Sequence, residues 1–196
     1  YETLRWLDGE MTLPVSLQRE YVYLLALNKD YAEARERLEK LDFAILQESE
    51  GVSLIELALQ RPESDLLPVL KRKLSEEVSA DYNVLQAAIA VATNKVGWRS
   101  LVADVDKREL TNAQNLQMAN VCLRSGKADC AREFMVVLNE ESLAQPERVR
   151  AAGLYVEVGN YEQASGLISP LYLQSPEDGD ISDMYVRIAA AKGDKE

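Results

Sequence analysis

The feature that most restricts this chain is a turn that comes back at a fixed interval. Gly159-Asn160-Tyr161-Glu162-Gln163-Ala164 separates two apolar-periodic runs, and Gly126-Lys127-Ala128-Asp129-Cys130-Ala131 has the same form 33 residues earlier. Gly193-Asp194 follows 34 residues later. Near the start, Asn28-Lys29-Asp30-Tyr31-Ala32-Glu33-Ala34 carries the form with Lys29 in the glycine slot, 97 residues before Gly126 and so close to three periods. Two degenerate units are expected between them. A regular spacing of this length is the mark of a repeat protein, in which each unit is one supersecondary element that cannot bury its apolar face alone.

The chemistry around the turn identifies the unit. Pro146 to Val158 reads as a helix with Val149, Ala152, Tyr155 and Val156 at three-and-four spacing on one face. Pro146 suits a first turn, where its missing N–H has no intrahelical partner to lose. Gly159 can take the left-handed backbone that ends the helix. Asn160 can cap the next one, with Gln163 three residues on to return a bond. Two helices joined so tightly form an antiparallel αα-hairpin.

At these intervals the chain resembles the tetratricopeptide repeats. The hairpin around Gly159 carries Ala152, Tyr155, Ala164, Ile168 and Pro176 at the family's spacing. The Gly126 hairpin keeps Met118, Ala119, Ala131, Met135 and Leu138, with Cys122 where the family has a large aromatic. The first hairpin offers Tyr21, Leu25, Ala34, Leu38 and Leu41. Arg148, Asn115 and Gln18 stand in the family's tryptophan slot and Val22 in a small-residue slot, so the copies are divergent; residues 45 to 108 match only vaguely. The resemblance implies an all-α right-handed superhelix, an α-solenoid of about five to six degenerate hairpins in a single domain over residues 1–196. The expected hairpins are 14–46, 51–77, 80–108, 111–143 and 145–177. Residues 1–13 would end a preceding unit and 178–196 would begin the next, as in a piece cut from a longer array.

Local signals place the elements. Pro14 opens a helix to about Asn28; Asp30 with Glu33 is expected to cap the next, through Leu46. Ser53 with Glu56 forms a further capping pattern, and Arg61-Pro62-Glu63-Ser64 supplies a turn. Helices are expected from Asp65 to Glu77 and from Asp81 to Ala92; Gly97-Trp98 opens another, with Trp98 as a packing residue, and Thr111 with Gln114 begins the better-patterned half. Pro170 falls inside a second helix, which it should bend or shorten. The count is eleven or twelve helices and no convincing strand.

Composition narrows the function. With 47% hydrophobic residues in 196, a large core can form, and no run reaches the eighteen apolar residues of a membrane span. Nothing resembles a signal peptide, and the start at Tyr1 reads as an excised fragment. A net charge of −11 opposes nucleic-acid binding, which needs a cationic surface; Lys71-Arg72-Lys73 reads as a solvated helix face. The absence of histidine removes the commonest general base and metal ligand, and two cysteines cannot complete a thiolate zinc site. Phosphate-cradling glycine loops are missing, and Asp178-Gly179-Asp180 is too short for a calcium loop. The reading is therefore of no enzyme, no metal and no cofactor.

Cys122 and Cys130 lie on either side of the Gly126 turn, where the expected antiparallel hairpin could set them face to face within disulfide reach, although a separation of eight residues alone does not establish that geometry. Bridged, they imply an oxidising compartment such as a bacterial periplasm; the alternative is two small buried thiols in a cytosolic repeat. From the family pattern, partner-binding residues along the inner face of first helices are Arg19, Tyr23, Asn120, Arg124, Glu157 and Arg187, suited to an extended peptide or a helix of another protein. Divergent repeats with paired cysteines also resemble the regions that precede an outer-membrane barrel in exopolysaccharide export and phage-adsorption proteins. The expected function is a non-catalytic protein–protein scaffold, periplasmic and part of the cell envelope. The alternatives are a cytosolic adaptor or assembly factor, or the helical superstructure of a larger envelope enzyme.

Overall fold

The computed structural model describes residues 13–77 and 82–193 together with Thr3, with the side chains of residues 75–77 excepted. Among the described residues every regular element is helical: α1 (Val15–Leu27), α2 (Tyr31–Lys40), α3 (Glu48–Gln60), α4 (Leu66–Glu77), α5 (Asn83–Ala92), α6 (Trp98–Ala103), α7 (Asn112–Arg124), α8 (Ala128–Met135), α9 (Gln145–Glu157), α10 (Tyr161–Gln174) and α11 (Gly179–Lys192). Three single 3-10 turns, Phe43–Ile45, Pro62–Ser64 and Glu140–Ser142, lie between them. The helical end expected within residues 2–8 and the start of a helix at Asp81 fall outside the described residues.

The chain divides into two compact units, Tyr1–Val105 and Asp106–Glu196. In the first, α1 packs on α2 and α3, α3 on α4 and α5, and α5 on α6. Tyr21, Leu25, Leu38, Phe43, Ile55 and Leu70 are buried there. The α3–α5 contact is close because Gly51 faces Leu85: a Cβ at Gly51 would lie 2.8 Å from both Leu85 methyls. In the second unit α7 packs on α8 and α9, and α9 on α10 and α11. Its core includes Leu116, Phe134, Tyr155, Ile168 and Ile188.

One turn geometry recurs. Gly159, at φ +79°, donates its N–H to Val156 O at 3.0 Å, and Asn160 N–H bonds Tyr155 O at 2.8 Å. These two bonds make a Schellman closure of α9. The same pair closes α7 through Gly126 and Lys127, and α1 through Lys29 and Asp30. It also closes α5 through Asn94 and Lys95, a position the sequence did not single out. Asn94, Gly126, Gly159 and Gly193 stand 32, 33 and 34 residues apart, all with positive φ. Lys29 at φ +66° stands 65 residues before Asn94, two such intervals.

The closure explains how the caps depart from expectation. Asn160 accepts from Gln163 N–H at 3.4 Å, but Gln163 returns its bond to the Asn160 side-chain amide. The backbone N–H that a capping box would use is already committed to Tyr155. Asp30 makes no side-chain capping bond; its N–H bonds Leu25 O, so Glu33 has no backbone N–H to return to and accepts instead from Tyr21 Oη at 3.3 Å and from Arg37 at 3.4 Å. Thr111 and Gln114 do form the reciprocal box, at 3.2 and 2.9 Å.

Other expectations are corrected. α3 begins at Glu48, five residues before Ser53, with Glu50 accepting from Gln47 N–H at 2.9 Å; Ser53 and Glu56 lie inside the helix and Glu56 is buried. α2 ends at Lys40, because Asp42 takes the Ala44 N–H at 2.9 Å and holds the next residues in a 3-10 turn. Of the basic run in α4, Lys71 and Arg72 are exposed, Arg72 pairing with Glu39, but Lys73 is buried. Its ammonium donates to Glu39 O at 2.8 Å and lies over the Phe43 ring. Trp98 is only half-buried, with Arg99 over its ring. α10 runs 14 residues through Pro170 without being shortened.

Candidate functional site

Arg124 is the last residue of α7 and Glu157 the last of α9, each two residues before its left-handed glycine. Because α7 and α9 pack together, equal register brings these two side chains face to face. Arg124 Nη2 lies 3.4 Å from Glu157 Oε1. Arg187 on α11, the next helix packed against α9, places its Nη2 3.9 Å from the same oxygen. Asn120, one turn before Arg124 on the same face of α7, is buried. Four of the six residues expected to meet a partner are thus gathered on adjoining helices of the second unit.

The electrostatics of this row are unusual in one respect. A carboxylate in the last turn of a helix opposes the negative end of its macrodipole. Glu157 occupies that position, and the two guanidiniums of Arg124 and Arg187 offset it. Both arginines are well exposed, so each ion pair stabilises by only about 0–1 kcal/mol. Exchanging them for contacts with a charged partner therefore costs the fold little.

Arg19 and Tyr23 lie one turn apart on α1, in the first unit. Arg19 reaches across to α3, its Nε 3.7 Å from Glu50 Oε1, with Nη2 3.5 Å from Glu20; the buried Nε has no hydrogen-bond partner. Tyr23 is half-buried. Glu50 was missed by sequence reasoning, although Gln47 followed by Glu50 is a capping pattern that could have flagged it.

Cys122 and Cys130 are joined in a disulfide, with sulfurs 2.06 Å and Cα atoms 5.7 Å apart, and both residues are buried. The bridge ties the end of α7 to the first turn of α8. Asp178 is occupied structurally: it caps α11 by accepting from Asp180 and Ile181 N–H at 3.1 and 3.3 Å, and takes a bond from Gln145.

A cleft of about 580 Å³ opens in the second unit between α8, the Glu140–Ser142 turn and the α9–α10 turn, lined in part by Arg132, Val136, Asn139, Tyr155 and Gln163. Tyr155 Oη donates to Glu140 Oε1 at 2.9 Å. Burial, then this bond and the charge of Glu140, hold the phenol well above its ordinary range. Arg132 is engaged by Asp129 at 2.7 Å and Val158 O at 3.1 Å.

Among the described residues no group of three or more Cys, Asp or Glu is placed to hold a metal ion, and no helix is long and apolar enough to cross a membrane. Comparison of the chain with protein-family models, with curated proteins and with solved structures finds no match.

Proposed function

We propose that this chain is a non-catalytic protein–protein interaction scaffold of tetratricopeptide type, its hairpins wound as a right-handed superhelix. A partner polypeptide lies along the first helices. The observation that carries the reading is the Arg124–Glu157–Arg187 row, in which consecutive first helices present alternating charges that contribute little to stability. Helix hairpins closed by one turn type at intervals of 32 to 34 residues support the repeat assignment. The Cys122–Cys130 bridge supports an oxidising compartment, and with it a periplasmic scaffold in a bacterial cell envelope.

The test compares the wild-type chain with an Arg124→Glu, Arg187→Glu double variant in cross-linking capture from a periplasmic extract. A partner held by the wild type and lost from the variant, at unchanged thermal stability, is expected. Equal capture by both would remove the row from the binding surface.

A further inference from the structure

α8 has 8 residues and ends at Met135, whereas its counterpart α10 continues from the equivalent Ile168 to Gln174. A link over residues 136–141 takes the place of those helical turns, and the cleft of about 580 Å³ lies between that link and the α9–α10 turn. Its volume falls in the range of small-ligand sites, roughly 300–1,000 Å³. Every lining residue lies between 132 and 163, inside the second unit, so neither wall depends on an end of the chain.

The walls combine unpaired negative charge with uncovered apolar surface. Buried Tyr155 donates to Glu140 Oε1 at 2.9 Å and so fixes a half-buried carboxylate in the cleft. Among the described residues its Oε2 has no hydrogen-bond partner, and no cation pairs with Glu140 or with Glu141 beside it. Arg132 also lines the cleft, but Asp129 offsets its charge, and Arg148 bonds the Glu141 and Leu143 carbonyls rather than either carboxylate. Val136 is 80% exposed, with Leu138 and Val158 half-buried in the same lining. A desolvated carboxylate is stabilised by a cation that reaches it, and exposed apolar surface by a hydrocarbon stem laid along it. We infer that the cleft binds an aliphatic cation, an ammonium or guanidinium on a hydrocarbon stem, its head on Glu140 and its stem over Val136 and Leu138. Lysine and arginine side chains of a polypeptide have this form, and so do free polyamines. A neutral ligand would leave the Glu140 charge unpaired, and an anionic one would meet two like charges. The site shares no residue with the Arg124–Glu157–Arg187 row.

The test is amide chemical-shift mapping by NMR on the 196-residue chain, titrated with cadaverine, with its uncharged diol analogue and with acetyl-Gly-Lys-Gly-amide. Cadaverine is expected to shift the amides of residues 136–141 and 158–163 with a Kd on the order of 1 mM. The diol should bind about tenfold more weakly or less, having no charge to place on Glu140. Glu140→Gln keeps an oxygen to accept from Tyr155 but removes the charge, and should weaken cadaverine by about tenfold. Val136→Lys, at an exposed position, sets a competing ammonium in the cleft and should abolish the titration; it keeps the test open if Glu140→Gln disturbs the link. Tighter binding of the peptide than of cadaverine upholds the site with a polypeptide as source, and the reverse order upholds it with a free polyamine. Shifts absent with both cations would overturn the inference. So would equal binding of the diol, or cadaverine binding indifferent to both variants.

Discussion

The left-handed turns offer a test in which the same geometry predicts opposite signs at two positions. Lys29 and Gly159 occupy equivalent places, one residue past the cap of a first helix, at φ +66° and +79°. An L-residue held in this region costs roughly 1–2 kcal/mol, and glycine's greater freedom in the unfolded chain returns about 0.5–1 kcal/mol of that difference. A Cβ at Gly159 would meet nothing within 4 Å, so no steric term intrudes there, and the Lys29 side chain is exposed. Lys29→Gly should therefore stabilise the first unit by about 0.5–1 kcal/mol. Gly159→Ala should destabilise the second by a similar amount. For units of this length, 1 kcal/mol corresponds to about 4–8 °C in Tm, well resolved by circular dichroism at 222 nm. Shifts of the same sign in both variants would refute the shared left-handed closure.

Three further outcomes follow from the second unit. Reducing Cys122–Cys130, or replacing both residues by alanine, should lower stability by about 2–3 kcal/mol for so short a loop, and an unchanged urea midpoint under reductant would exclude the bridge in solution. Ala164 is fully buried in the α9–α10 contact, so Ala164→Trp should cost about 1–3 kcal/mol or more by overpacking; an unaltered Tm would contradict that pairing. The folded chain holds the Tyr155 proton more tightly than the unfolded chain, whose phenol titrates near 10.0. Its contribution is present below that pH and is lost as pH rises further, so between about pH 9 and about pH 11 the wild type should lose more stability than Tyr155→Phe. Equal losses in urea unfolding would refute the assignment.

What sequence reading reached and what it missed divide along a physical line. Gly126 and Gly159 were legible because a left-handed cap is a local demand that glycine meets best. Asn94 meets the same demand less distinctively, since asparagine serves many turns, so the α5 closure passed unnoticed. The start of α3 was misplaced because Gln47 with Glu50 and Ser53 with Glu56 are both acceptable capping patterns. Burial of Val52, Leu54 and Ile55 decides between them, and that is a tertiary fact. Lys73 was misread for a like reason: nothing local announces that the Glu39 carbonyl will receive its ammonium. In the candidate site, Arg124 and Glu157 came together because each stands two residues before a recognisable glycine, so period alone fixes their register. The cleft beside Tyr155 was invisible, being shaped by the unpatterned link between α8 and α9.

The same line separates first helices from second ones. In the second unit α7 and α9 each pack on their hairpin partner and on the next first helix, so substitutions on either face are constrained and the apolar spacing stays regular. Second helices vary: α8 packs on α7, whereas α10 packs on both α9 and α11. α6 has 6 residues, α8 has 8, and α10 has 14 despite Pro170. Proline there withdraws one N–H and crowds the carbonyl four residues back, which belongs to Gly166, the residue type with most latitude to yield. Arg124 and Glu157 meet because each stands two residues before its glycine, whereas Arg187 stands six before Gly193 and reaches the same carboxylate from α11.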